Sequence, residues 1–318
     1  MLVTGASGFV GAALCKELAQ RGHQVRGAVR GNPGAQHVSV GMIGAATDWR
    51  LALVGCDVVV HLAARVHVMS DASGDPIAAY REVNVEGTLN LARQASELGV
   101  RRFVFVSSVK VNGEATAGGA KFSAVDVPAP CDPYGVSKME AEQGLLRLAQ
   151  ETGLEVVIVR PPLVYGPGVK ANFRNLIKLV KTGLPLPFAN ARGRRSMVAL
   201  DNLIDLLILC TSHRSAPGRV LMVSDGVDVT LVELVCMISR SMGKPLRLLP
   251  IPIVIMQVFA RLLGKSAVAH RLFGSLQIDI AQTEALLEWR PIVSPQAAID
   301  KTVAYFLKTE RTHHEKNS

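Results

Sequence analysis

Tyr134 and Lys138 are the residues of this chain whose types and spacing are best suited to chemistry. They fall in Asp132-Pro133-Tyr134-Gly135-Val136-Ser137-Lys138, which reads as a helix start: Asp132 can cap orphan N–H groups, and Pro133 suits the first helical position. Four residues apart, the phenol and the ammonium share one helical face. A free phenol titrates near ~10 and is a poor acid or base at neutral pH. A neighbouring ammonium favours the phenolate and can lower that value by roughly 1–3 units, towards the range where a general acid works well. Upstream, the apolar run Phe103-Val104-Phe105-Val106 ends in Ser107 and Ser108, at the end of a strand where open α/β sheets bind ligands.

The elements that must position these groups begin at the chain start. Residues 1–30 read strand (Met1 to Thr4), glycine turn (Gly5-Ala6-Ser7-Gly8), helix (Phe9 to Arg21) and strand (Gln24 to Val29). Gly5 permits the tight turn, Gly8 lets backbone approach a pyrophosphate, and Gly11 lets helix and strand pack closely. An NAD site usually carries a carboxylate about 20 residues beyond the glycines, for the adenosine ribose. No Asp or Glu occurs between Glu17 and Asp48, and Arg30 closes the second strand instead. A guanidinium there can pair with a 2′-phosphate, so NADP(H) is expected in preference to NAD(H). Asp57 to Ala64 is a buried-strand run in which His61 is a satisfied core histidine, and its end, Leu62-Ala63-Ala64, leaves room for a cofactor. Pro76 to Leu98 reads as a long helix containing Asn84, and Leu154 to Arg160 as the sixth strand. Pro161 to Gly168 marks a departure from the regular alternation; shorter elements follow, to a polar tail, Thr309 to Ser318, expected to fray.

With 318 residues the chain can bury a large core, and a hydrophobic fraction of 49% with mean hydropathy +0.27 suits buried parallel strands. Five cysteines (Cys15, Cys56, Cys131, Cys210, Cys236) show no Cys-x-x-Cys and no metal-ligand spacing; reduced thiols in a cytoplasmic enzyme, with no metal, are expected. No secretory signal precedes the first strand, and its short start suggests a natural beginning a few residues upstream of Met1. The most apolar stretch, Ile251 to Leu263, is interrupted by Gln257 and Arg261 and is too short to span a bilayer; it reads as a buried or interfacial helix. The net charge of +9 is dispersed apart from Arg192-Gly193-Arg194-Arg195, and aromatics make up only 5%. Nothing suggests a nucleic-acid stacking platform; an anionic, phosphorylated small substrate accounts for the charge.

Thr4-Gly5-Ala6-Ser7-Gly8-Phe9-Val10-Gly11, the Asp57 to Ala64 strand, Val83-Asn84-Val85-Glu86-Gly87-Thr88, Ser107-Ser108, Tyr134 with Lys138, and Arg160-Pro161 together resemble an extended short-chain dehydrogenase/reductase. The resemblance is to the UDP-glucose 4-epimerase-like branch and covers essentially the whole chain. It implies an α/β fold: a doubly wound parallel Rossmann sheet over 1–165, and over 166–318 mostly a smaller C-terminal lobe that grips a UDP-sugar, with the chain crossing back to the core. By the same resemblance Tyr134 is the acid/base, Lys138 binds the nicotinamide ribose and tunes Tyr134, and Ser108 hydrogen-bonds the reacting sugar oxygen. The implied cofactor contacts are Gly5, Ser7, Gly8, Phe9, Val10, Gly11, Arg30, Leu62, Ala63, Ala64, Asn84, Val106, Pro161, Tyr134 and Lys138. Asn172 would contact the nucleotide diphosphate, Phe188 would pack the uracil, and Arg195, with Arg271 as a second clamp, would hold the diphosphate. A homodimer is implied as well.

Three departures bear on function. Met42 stands where many relatives have an aspartate near the adenine. Val109-Lys110 replace the Asp-Glu pair of sugar 4,6-dehydratases, which argues against that activity. The missing carboxylate after the second strand argues against the tightly held NAD of 4-epimerases. With Ser108-Val109-Lys110-Val111-Asn112-Gly113 similar to bacterial 4-reductases, these features lead to an expected NAD(P)H-dependent reduction of the C4 ketone of a UDP-4-keto-6-deoxy-N-acetylhexosamine, in O-antigen synthesis. The alternative is a UDP-hexose or UDP-N-acetylhexosamine 4-epimerase with bound NAD, and behind it a non-catalytic dinucleotide sensor.

Overall fold

Short apolar runs of three to six residues pair side by side into one seven-stranded sheet in the computed structural model, which describes all residues except 32, 35–36, 67–74, 263–272 and 316–318. In chain order the elements are β1 (Leu2–Thr4), α1 (Phe9–Gln20), β2 (Arg26–Val29), β3 (His37–Ser39), α2 (Arg50–Leu53), β4 (Val58–His61), α3 (Pro76–Arg81), α4 (Gly87–Glu97), β5 (Arg102–Val106), α5 (Pro133–Thr152) and β6 (Glu155–Arg160). There follow β7 (Leu163–Tyr165), α6 (Ala171–Lys181), β8 (Arg194–Arg195), β9 (Met197–Ala199), α7 (Leu200–Cys210), β10 (Val220–Met222), β11 (Val229–Thr230), α8 (Leu231–Ser241), α9 (Ile253–Leu262), α10 (Ala281–Leu287) and α11 (Pro295–Glu315).

The strand order is β3-β2-β1-β4-β5-β6-β10, and every pairing in this sheet is parallel. Sequence order reverses between β1 and β4, the switch point where such sheets open a crevice at their C-terminal ends. Alternate side chains serve opposite faces. Val3, Val60, Val104 and Val157 pack with Leu14 and Leu18 of α1 and Leu203 and Leu207 of α7. Leu2, Val59, Phe103 and Phe105 pack with Leu91 of α4 and Ala141 and Leu145 of α5. This is the Rossmann arrangement expected from the sequence.

A third apolar cluster, with Tyr165, Phe173, Met197, Val235 and Phe306, builds a second lobe from β7, α6, β9, α8 and α11. Its polar hub is Asp225, buried with its pKa raised by loss of solvent, which accepts from Tyr165 Oη (2.8 Å), the Ala199 amide (2.7 Å) and Asn202 Nδ2 (2.7 Å). The chain returns from this lobe to the sheet through α7 and β10.

Two expectations are corrected. The Pro76 to Leu98 helix is not uniform: Glu82–Glu86 widens into a π-turn between α3 and α4. The tail does not fray at Thr309, because α11 continues to Glu315, with Glu310 paired to Lys181. Among the described residues no helix is long and apolar enough to cross a membrane, and all five cysteines are free.

Candidate active site

The glycine turn is locked to the switch point by packing too close for side chains. Gly5 has φ +66°, and a Cβ there would lie 3.0 Å from the Ala63 amide nitrogen. A Cβ on Gly11 would come within 2.8 Å of the Gly5 carbonyl carbon and closer still to its oxygen. Thr4 completes the lock: its Oγ1 accepts from the Leu62 and Ala63 amides (3.1 Å each) and contacts His61 Nδ1 at 2.7 Å. With both lone pairs used, the hydroxyl must donate, which makes Nδ1 the acceptor and leaves Nε2–H to donate to Thr88 Oγ1 at 3.0 Å. Burial, reinforced by the Lys138 charge, holds the His61 pKa down to about 3, so the ring is neutral. His61 is a structural strut, as its sequence context implied. Thr4 and Thr88 escaped the sequence reading because their roles rest on contacts 57 and 27 residues from their partner.

The α5 start behaves as its sequence dictates. Asp132 Oδ1 accepts from the Gly135 amide (2.7 Å), and Pro133 occupies the first turn. Lys110 closes an ion pair on the other oxygen of Asp132, so this lysine braces the cap of the tyrosine helix and does not stand free. Lys138 is 2% exposed, donates to the Val106 carbonyl (2.9 Å), and sits 4.4 Å over the Phe105 ring. Burial brings its pKa down to about 7, opposed by the Glu142 charge one turn on. Glu142 in turn forms a buried bidentate pair with Arg160 (2.9 and 2.5 Å), whose Nη1 donates to Asn112 Oδ1 at 3.0 Å.

Tyr134 corrects one expectation. Its phenol is pushed above the usual range, first by burial and then by the charges of Asp132 and Tyr80, and is not lowered by Lys138. The ring is met edge-on by Tyr80 at 6.2 Å, and Tyr80 carries the Arg65 guanidinium 5.7 Å over its own ring. The π-turn explains how this corner is held: it aims Asn84 so that its Oδ1 accepts from the Arg65 amide (2.8 Å) while Nδ2 donates to Ser137 Oγ (2.9 Å). Hydrogen bonds thus run from Arg65 through Asn84 to Ser137 on the tyrosine helix.

Ser108 lies at the end of β5, where its Oγ accepts from the Lys110 amide at 3.2 Å. Ser107 beside it is 3% exposed, and its hydroxyl has no partner among the described residues. Arg30 is exposed at the end of β2, as is Met42 (74%) beyond β3. Ser7 is exposed, and Phe9 and Val10 are half-buried in the first turn of α1, whose N-terminus has no side-chain cap and no acidic residue. Leu62, Ala63 and Ala64 line the end of β4, and buried Pro161 follows β6, its carbonyl accepting from Val109 at 3.0 Å.

These features fit a dinucleotide: a glycine cradle with no space for Cβ atoms, an uncapped helix N-terminus that favours phosphate, and an orphaned buried hydroxyl at the crevice. In the second lobe Asn172 is exposed at the start of α6, and Arg195 donates to the Gly274 carbonyl at 3.1 Å from β8. Phe188 is 9% exposed within the third cluster. Arg271 lies outside the described residues.

Residues 1–223 match the NAD dependent epimerase/dehydratase family. A Vibrio cholerae protein named UDP-glucose 4-epimerase is 46% identical over 314 residues, covering 97% of this chain and 95% of the relative. A 3-beta-hydroxysteroid dehydrogenase of Mycolicibacterium neoaurum is 31% identical over 265 residues, 77% of this chain and 71% of its own. The solved structure of MoeE5 in complex with UDP-glucose and NAD superposes with TM-score 0.77 at 25% identity, covering 97% of this chain and 99% of the other.

The expected 4-ketone reductase is overturned by the 46% relative, an epimerase by name. The reductase argument leaned on the similarity of the Ser108 to Gly113 segment to 4-reductases, in which Lys110 is paired with Asp132, and on a missing carboxylate. That absence removes one ribose contact while leaving the glycine cradle and the Lys138 crevice intact. The chain belongs to the NAD dependent epimerase/dehydratase family.

Proposed function

We propose that the protein is a C4 epimerase of a UDP-hexose or UDP-N-acetylhexosamine that works with a retained NAD. The observation that carries this reading is the 46% identity, over 97% of the chain, to a UDP-glucose 4-epimerase. The Tyr134–Lys138 face at the switch point supplies the chemistry it needs. When bound, the oxidised dinucleotide would supply a hydride acceptor for C4 and a positive charge.

Tyr134 would take the proton from the sugar O4 when C4 is oxidised and would return it when C4 is reduced again. Burial keeps the phenol protonated on its own, so the basic form depends on the positive charge that the bound dinucleotide would bring. Ser108 holds O4 in line. Gly5, Ser7, Gly8, Phe9, Val10 and Gly11 cradle the pyrophosphate, and Leu62, Ala63, Ala64, Asn84, Val106 and Pro161 wall the crevice. Arg30 faces the adenosine ribose with no carboxylate beside it, which admits a 2′-phosphate. Asn172, Phe188 and Arg195 hold the UDP moiety.

The test is direct. Purified protein is denatured and its released dinucleotide identified by mass spectrometry; native protein is incubated with UDP-glucose and UDP-N-acetylglucosamine without added cofactor. C4 inversion of one of them is expected, with a loss of at least about 100-fold in kcat for Tyr134→Phe. No inversion of either sugar, or an unchanged rate in Tyr134→Phe, ends the proposal.

A further inference from the structure

Helix α9 presents its apolar side to solvent. Val254, Ile255, Val258 and Leu262 are 67%, 50%, 52% and 78% exposed, and at 100° per residue they fall within an arc of about 100°. Ile253 and Met256, half-buried, lie on the opposite arc, and Arg261 flanks the exposed stripe. No described α9 side chain joins any of the hydrophobic clusters. An ordinary surface helix turns polar side chains to solvent on its outward arc.

The sequence on either side of this helix is basic. From Leu234 to Ile278 the sequence contains no Asp or Glu but carries six Lys and Arg residues, among them Arg240, Lys244, Arg247 and Arg261. Arg240, Lys244, Arg247 and Arg261 are all exposed. The start of α9 is tied to the substrate lobe, where Asn190 Nδ2 donates to the Ile251 carbonyl at 3.2 Å, between Phe188 and Arg195 in sequence.

We propose that α9 is a membrane-surface helix that docks this protein on an anionic bilayer. Its apolar stripe enters the boundary between headgroups and acyl chains, and Arg261 at the edge of the stripe meets lipid phosphates. At ten residues it lies in the interface and does not span. The charge complementarity selects an anionic membrane over a second copy of the chain, whose own α9 would bring like charges together.

The full-length protein is sedimented with phosphatidylcholine vesicles containing or lacking phosphatidylglycerol, at low and high salt. Binding is expected only with phosphatidylglycerol and is expected to weaken as salt rises. The pair Val254→Asp/Val258→Asp, and separately Arg261→Glu, should each weaken binding on the order of tenfold or more while melting with the wild type. Failure to sediment with anionic vesicles overturns the proposal, as does binding that both variants leave unchanged. Size-exclusion chromatography in which Val254→Asp/Val258→Asp splits a dimer, without any vesicle binding by wild type, assigns the face to a second copy and equally overturns it.

Discussion

Replacing Glu142 by Gln tests how the lysine of the site is held. Glu142 and Arg160 are each 4% exposed and joined by two hydrogen bonds. After the substitution Arg160 keeps Asn112 but faces no carboxylate, and an uncompensated buried charge costs about 3–5 kcal/mol. For a chain of this length that corresponds to a fall in Tm of roughly 6–15 °C. Replacing both partners, Glu142→Leu with Arg160→Leu, removes the charge problem and leaves chiefly Asn112 short of one bond, worth about 1 kcal/mol. Calorimetric melts of the three proteins give the comparison. The expected order is wild type, then the double variant close behind, then Glu142→Gln well below. A single variant within about 2 °C of wild type, or a double variant no better than the single, refutes the reasoning.

Two further outcomes follow from the same geometry. Gly11→Ala forces a Cβ into the Gly5 carbonyl, so dinucleotide affinity, measured by fluorescence titration, should fall by at least about tenfold, whereas Gly22→Ala, at φ +82° with nothing within 4 Å, should cost only about 1 kcal/mol of stability and leave binding alone. Lys138, lowered to about 7 in the fold, gives up its proton above that pH, whereas the unfolded chain holds it up to about 10. The unfolded state therefore binds the extra proton, and stability should rise from about pH 7 to 9 by up to ~1.4 kcal/mol per unit. Beyond that, Cys15 and Cys210, pushed up to about 11 and about 12 by burial, keep protons that the unfolded chain loses, and the rise turns over. Urea unfolding of wild type against Lys138→Met checks this, since the rise below pH 9 should vanish in the variant.

The sequence by itself determined what local backbone rules control. Asp132 and Pro133 start α5 because a cap and a fixed φ act within one turn. The glycine spacing implied a close turn, and Gly5 and Gly11 are indeed placed where a Cβ has no space. Family motifs likewise made the parallel sheet legible.

What the tertiary structure decided are quantities set by distant neighbours. The direction of the Tyr134 shift depends on burial against elements such as Tyr80, far away in sequence, and desolvation outweighs the lysine that spacing alone made dominant. The π-turn that aims Asn84, the Thr4–His61–Thr88 strut and the Glu142–Arg160 pair each join segments 18 to 57 residues apart or shift a helix by a single residue. Which side chains of α9 stay exposed also waited on the fold, because hydropathy states how much a helix gains by leaving water but not which of its sides finds a partner.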